Sequence, residues 1–243
     1  MWCDNYDYIP FIKRSWLNKM IDKKFIYFST TISGSFSQIK QDIFALFVNG
    51  KTPNYFVEFG ACDGVDTSNT FILEKIYGWT GILAEPAIFW HESLKNNRKC
   101  FIEEKCVAEE SNLNMEFWET RGSKGVSGLA KYAELDSHGY NRANDHESYL
   151  VETISLDDLL DKYNAPQNIG YMSIDTEGSE LSILNSYSFS RTFNCITVEH
   201  NYNLNRNQID SLIESKGYTK VLQDLSQFDS WFIKSDIYER MSK

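Results

Sequence analysis

Four short stretches of this 243-residue chain carry side chains suited to chemistry. The first is Glu58-Phe-Gly-Ala-Cys-Asp-Gly64, which follows an apolar run. Its small residues Gly60, Ala61 and Gly64 let the backbone turn sharply and let a ligand approach main-chain N–H groups. The stretch lacks G-x-G-x-x-G spacing, and its acids Glu58 and Asp63 repel a pyrophosphate while suiting a ligand that carries an ammonium group. S-adenosylmethionine has an α-ammonium and a sulfonium, and it has no phosphate. The second stretch, Glu85-Pro86, comes 21 residues after Gly64. A carboxylate there has the two oxygens needed to accept both ribose hydroxyls of an adenosine ligand. Between the two, Ser68, Asn69 and Thr70 open an expected helix whose free N–H groups and dipole favour the methionyl carboxylate; simple N-capping by Thr67 or Ser68 is the alternative.

The third and fourth stretches hold the acids for the acceptor side. Asp175 and Glu177 follow one apolar run, and Glu199, His200 and Asn201 close the next. Methyl transfer to an alcohol needs the acceptor oxygen in line with the methyl group. It also needs the hydroxyl proton removed by a base or made more acidic by a metal. Either His200 takes the proton, or Asp175 and Glu199, with His200, hold a divalent ion such as Mg2+ or Mn2+. The structural alternatives are that Asp175 caps a helix starting near Ser179 and that Glu199 is a buried ion-pair partner.

These stretches need a scaffold that brings strand ends together. From Tyr55 onward, short apolar runs alternate with helical ones, the pattern of a parallel sheet built from right-handed crossovers. The expected strands are 55–59, 81–85, 100–108, 169–174 and 195–199. The expected helices are 67–77 (capped by Thr67), 87–97, a short one capped by Ser155 with Asp158 at its N3 position, 179–185 and 207–216. Residues 218–223 and 228–234 lie four residues apart, which suits an antiparallel pair at a sheet edge. The fold class is therefore α/β, a mostly parallel open sheet in which ligands bind outside the carboxyl ends of the strands.

Before Asn54, two helical candidates, around 11–28 and over 36–48, form an expected N-terminal helical cap over residues 1–50. Its basic cluster Lys13, Arg14, Lys19, Lys23 and Lys24 is either a solvated helix face or a contact for an anionic partner. Residues 120–149 are polar, with Gly122, Gly125, Gly128 and Gly139. They are too long for an ordinary connection, so they form either a functional lid or a disordered insertion.

Composition narrows the class. Apolar residues make up 42 % and aromatics 15 %, against 13 Gly and 4 Pro, which excludes collagen-like, disordered and low-complexity chains. The 24 basic and 34 acidic residues leave a net charge of −10, which disfavours unaided binding to nucleic acid or an anionic bilayer. The five cysteines are scattered without a C-x-x-C pair, so a reducing compartment fits best. No run approaches a membrane span, and Asp4, Asp7, Lys13 and Arg14 stand where a secretory leader would be apolar, so the expected location is cytoplasmic.

Taken together, Val57-Glu-Phe-Gly-Ala-Cys-Asp-Gly64, Asp66-Thr-Ser-Asn-Thr70, Gly78-Trp-Thr-Gly-Ile-Leu-Ala-Glu-Pro86, Asp175-Thr-Glu-Gly-Ser-Glu-Leu181 and Thr197-Val-Glu-His-Asn201 resemble the FkbM-type methyltransferases. The resemblance covers about residues 55–234; the first 50 residues and the 120–149 insertion lie outside it. It implies a Rossmann-like, seven-stranded class I methyltransferase fold that uses S-adenosylmethionine, generally to methylate oxygen on sugars, glycoconjugates or natural products. It further implies that Glu58, Gly60, Asp63, Asn69 and Glu85 line the cofactor site, with Val107 and Ala108 near adenine. A small-molecule or glycan acceptor follows. An RNA cap ribose methyltransferase, for which no basic groove is visible, and a non-catalytic binding module are the alternatives.

Overall fold

The apolar run 55–59, interrupted only by Glu58, forms an interior strand of the main sheet, buried along its whole length. A computed structural model describes residues 8–135 and 138–243. Cys3, Asp4 and Asp7 lie outside the described residues, as do the side chains of Lys13 and Arg14. The first half contains α1 (Tyr8–Thr30), α2 (Gln41–Asn49), β1 (Tyr55–Phe59), α3 (Phe71–Lys75), β2 (Thr80–Ala84), α4 (His91–Asn97), β3 (Phe101–Glu103), β4 (Cys106–Ala108) and β5 (Asn114–Thr120). Then follow β6 (Gly128–Leu129), α5 (Gly139–Asn144), β7 (His146–Ser155), α6 (Leu156–Lys162) and β8 (Asn168–Ile174). The chain closes with α7 (Glu180–Ser186), β9 (Thr192–Glu199), α8 (Arg206–Ser215), β10 (Tyr218–Val221), β11 (Asp229–Lys234) and α9 (Ser235–Met241).

The main sheet has seven strands in the order β10-β11-β9-β8-β1-β2-β3. It is mixed: β3, β2, β1, β8 and β9 are parallel, whereas β11 runs antiparallel to both β9 and β10. The chain works outward from β1 to β3, then returns on the other side of β1. Strand order thus reverses between β1 and β8, where an open α/β sheet leaves a crevice.

Alternation along the strands sorts side chains to two faces. Phe56, Leu83, Tyr171 and Cys195 join one apolar layer, and Val57, Ile82, Met172 and Ile196 join the other. Burial on both faces is what a helix-covered parallel sheet requires. The first layer is completed by the N-terminal helices. Phe44 of α2 stacks on Trp231 at 4.8 Å, and Phe25 of α1 meets the same indole edge-on at 5.7 Å. Each such buried side chain contributes about 1.5–3 kcal/mol, so α1 and α2 are held as part of the sheet's cover. No described helix is long and apolar enough to cross a membrane.

Three expectations are corrected. The single strand over 100–108 is two strands, β3 and β4, parted by Glu104-Lys105, where the Lys105 N–H donates to Glu103 Oε1 at 3.1 Å. β3 extends the main sheet, while β4 crosses into a second, four-stranded sheet ordered β4-β7-β5-β6. The helix expected over 67–77 is only the five residues of α3, and Thr67 sits at φ 60 rather than capping it. The buried Glu58 carboxylate accepts from Ser68, Asn69 and Thr70, which draws residues 66–70 into a turn. The helix expected over 87–97 begins with a 3-10 turn, Ile88–Trp90, before α4.

The described part of 120–149 is folded, not disordered. Its ends belong to the β5–β7 pair, and β6 and α5 lie between them. The helix expected over 36–48 begins only at Gln41, whereas Ser155 caps α6 as expected, accepting from the Asp158 N–H at 3.2 Å, and β10 and β11 form the antiparallel edge pair.

Candidate active site

The carboxyl ends of β1, β2, β8 and β9 open on one cleft with two adjoining halves. Both halves share Phe59, Gly60, Cys62, Gly125, Asp175 and Glu177. The first half is largely apolar, walled by Pro86, Trp90, Val107, Phe117 and Leu129, with Glu85 at its floor. The second is acidic and polar, lined by Glu58, Ser68, Asn69, Glu199 and Asn201 among others, and no described Lys or Arg lines it.

Glu85 closes β2 and is 4 % exposed. Its Oε2 accepts from the Cys62 N–H at 2.8 Å and its Oε1 from the Ala87 N–H at 2.8 Å, which aims the carboxylate into the apolar half and leaves each oxygen a further lone pair. Burial pushes its carboxyl up to about 7, against the pull of those two N–H groups. Val107 lines this half, as does Cys106; Ala108 turns into the small core of Ala87, Phe117 and Val151.

The turn after β1 has a different job from the one its glycines suggested. The Gly60 and Ala61 N–H groups both donate to Ala84 O, at 3.0 and 3.3 Å, and the Gly64 N–H donates to Ala61 O at 2.8 Å. Asp63 Oδ1 accepts from the Val65 and Asp66 N–H groups, so this acid holds the turn and lines neither half. Gly64, at φ +77, is needed because a Cβ there would come within 2.6 Å of Leu94 and Arg98. With the N–H groups of residues 60–62 and 64–66 engaged internally, the turn offers a poor cradle for a pyrophosphate.

Glu58 likewise faces a buried network. Its carboxylate accepts from the Asn69 N–H at 2.7 Å, from Ser68 Oγ at 3.2 Å and from Thr70 Oγ1, and lies 4.0 Å from the Arg98 guanidinium. Arg98, fully buried, also donates to Thr70 Oγ1 at 2.8 Å and to Glu74 at 2.6 Å. The N–H groups of residues 68–70 are engaged as well: Ser68 to Val65 O, Asn69 to Glu58 and Thr70 to Ser68 Oγ. The expected carboxylate site at a helix start is therefore not formed, and Thr70 is turned inward. The Asn69 side chain remains in the cleft: its Nδ2 donates to Ser173 Oγ at 2.9 Å while its buried Oδ1 has no partner.

On the acceptor side, ligand oxygens of Asp175, Glu177 and Glu199 all lie within 4.8 Å of one another. Glu177 has φ 57, the left-handed region, and its Oε2 accepts from Arg142 at 2.8 Å. Glu180 Oε1 accepts from the Thr176 and Gly178 N–H groups, each at 3.0 Å, fixing the loop. Burial raises both Asp175 and Glu199, and each is raised further by neighbouring carboxylates, Glu199 most by Asp175 itself. Two such carboxyl groups share a proton because both cannot ionise side by side. Asp175 Oδ1 is buried and unpartnered.

His200 is the displaced member of the expected set. It is 1 % exposed, its Nδ1 accepts from the Tyr202 N–H at 3.1 Å, and it lines neither half of the cleft. Burial and the nearby Arg206 and Lys220 push it down to about 4, so it is neutral and weakly basic near pH 7. Glu177 takes its place beside Asp175 and Glu199. The backbone directs this exchange: successive side chains at the end of β9 alternate in direction, so Glu199 and His200 cannot both face the cleft.

Sequence reasoning missed Arg98 and Arg142, the buried cations behind the acids, and the walls Trp90, Phe117, Lys124 and Leu129. The only signal was indirect: buried carboxylates at strand ends need cationic partners. Phe117 and Leu129 come from the second sheet and Trp90 and Lys124 from 3-10 turns, none of which a short motif marks.

The cleft thus lies at the reversal point of an α/β sheet, with a buried acid, Glu85, at the end of the second strand. Residues 58–229 match the Methyltransferase FkbM domain, and the chain belongs to that family of methyltransferases. No curated protein matches it.

Proposed function

We propose that this chain is an S-adenosylmethionine-dependent O-methyltransferase with a Rossmann-like class I core, acting on a hydroxyl of a sugar, glycoconjugate or related natural product. One observation carries the cofactor reading: the buried Glu85 carboxylate faces the apolar half, while unpartnered acceptor oxygens of Asn69 and Asp175 face the acidic half. Acceptors without donors suit a ligand with an ammonium group, and the engaged N–H groups of the 60–66 turn do not suit phosphates. Glu85 would hold the ribose, Pro86, Val107 and the apolar walls the adenine, and Asn69 Oδ1 the ammonium. When bound, the cofactor supplies a methyl group on a positively charged sulfur.

The chain's own part is orientation and proton removal. Glu199, the more strongly raised of the pair, keeps the shared proton, and Asp175 Oδ1 accepts the proton of the acceptor hydroxyl. The apolar walls exclude water from the adenosyl half. A second reading is favoured by the proximity of Asp175, Glu177 and Glu199: these three, without His200, would hold Mg2+ or Mn2+ beside the hydroxyl. Activity lost on chelation and restored by either ion would decide for it. The free thiols Cys62, Cys100, Cys106 and Cys195 support a cytoplasmic setting, and the described part of the 1–50 region, residues 8–50, serves as a helical cap on the 51–243 methyltransferase domain.

The test is a calorimetric titration with S-adenosylmethionine and, separately, NAD, followed by mass analysis of a glycan panel incubated with the methyl donor. Binding of the first ligand and a gain of one methylene on an acceptor are expected. Preference for NAD would remove the cofactor assignment.

A further inference from the structure

We propose that Arg142 is a positioning residue that clamps the 120–149 segment onto the acidic strand end and so builds the wall shared by both halves of the cleft. The inference rests on the methyltransferase reading only in what the wall is for. Arg142 comes from the short helix α5, outside every strand-end motif, yet it has no exposed surface. Its guanidinium reaches three separate pieces of chain. Nη1 donates to Glu177 Oε2 at 2.8 Å and to Val126 O at 2.9 Å, and Nε donates to Ala133 O at 3.0 Å.

Each contact bears on the cleft. Val126 lines the acidic half, and its neighbours Gly125, Ser127, Gly128 and Leu129 line the apolar half. Glu177 lines both, in a left-handed conformation that a non-glycine residue keeps only when its surroundings over-determine it. The segment is seated without slack: a Cβ on Gly128 would lie 3.2 Å from Glu177 Cβ, and one on Gly178 would lie 3.0 Å from Tyr132 O. A planar guanidinium can donate in these divergent directions at once, whereas an ammonium on a flexible stem can match the charge but not the fork. Arg142 also pairs the third carboxylate of the acidic group, so Asp175 and Glu199 are left to share a proton between themselves.

The experiment compares wild type, Arg142→Gln, Arg142→Lys and Glu177→Gln as full chains. Hydrogen exchange is read by segment, the global unfolding midpoint is measured, and S-adenosylmethionine is titrated calorimetrically. In Arg142→Gln, exchange should accelerate at 124–129 while β1, β8 and β9 stay protected, and cofactor affinity should fall by at least roughly tenfold. Arg142→Lys should restore part of that affinity. Should Arg142→Gln not fold, Glu177→Gln, which breaks the same pair from the other side, should show the same local acceleration. Unchanged exchange at 124–129 in the folded variants overturns the clamp, as does affinity that falls only in step with global stability. If wild type binds no S-adenosylmethionine, the exchange data still decide the clamp, and the methyltransferase cofactor reading falls by itself.

Discussion

The carbonyl oxygen of Asp175 lies 2.0 Å from the point where a side chain at Gly60 would begin. The turn after β1 and the loop after β8 are therefore in backbone contact, and the floor of the cleft has no room for a methyl group. Gly60 also has φ +75. Gly60→Ala is expected to lower stability by about 2 kcal/mol or more and to abolish cofactor binding, because relieving the clash displaces the turn that lines both halves of the cleft. Denaturant midpoints and calorimetry on the same preparation check both effects; a variant of wild-type stability would show that the two loops are separable.

Arg98 joins Glu58 and Glu74 beneath the turn after β1, and all three are buried or nearly so. Arg98→Met leaves Glu58 as an unpaired buried carboxylate, which is expected to cost about 3–5 kcal/mol. The double variant Arg98→Met/Glu58→Gln should recover part of the loss. Chemical denaturation of the four members of this cycle gives the coupling directly; additive losses would mean that the two groups do not act as a pair.

Glu85 sets a pH dependence whose sign follows from burial. Its carboxyl is raised from 4.5 to about 7, so between those values the folded protein binds a proton that the unfolded chain has released. Stability of the cofactor-free protein should therefore fall as pH rises from about 4.5 to about 7, by up to the order of 3 kcal/mol from this group. Glu85→Gln, which cannot ionise, should flatten this part of the profile and be the more stable form at pH 7, at the expense of cofactor affinity. Thermal midpoints across that pH range test it, and an unchanged slope in Glu85→Gln would assign the dependence to other acids.

Asp175 and His200 make opposite predictions. Asp175→Asn should lower the turnover number by about 100-fold or more, with cofactor affinity within about fivefold of wild type. His200→Asn should change turnover little, since the imidazole faces Tyr202 and the Arg206–Lys220 side and not the cleft. Its effect should appear as lost stability, from a buried hydrogen-bonding group replaced. Single-turnover rates at saturating cofactor separate the two; a large loss in His200→Asn alone would restore the histidine as the base.

The alternation of short apolar runs with helical ones is a local property, and so are the acids placed where those runs stop. Both could be read along the chain: Glu58, Glu85, Asp175 and Glu199 all stand at or just beside strand ends that open on one cleft. What linear order could not reveal is which way a side chain at a strand end points and what lies behind it. Glu58 faces Arg98, His200 faces away from Glu199, and the N–H groups of Gly60, Ala61, Cys62 and Asn69 are taken up by Ala84, Glu85 and Glu58. These are contacts between residues distant in sequence, set by strand register and packing, and local pattern carries no trace of them. The wall from the second sheet is the same case at larger scale. Lys105 bridges to Glu152 and Arg142 to Glu177 only once β4 has left the main sheet and the segment after β5 has folded back over the strand ends.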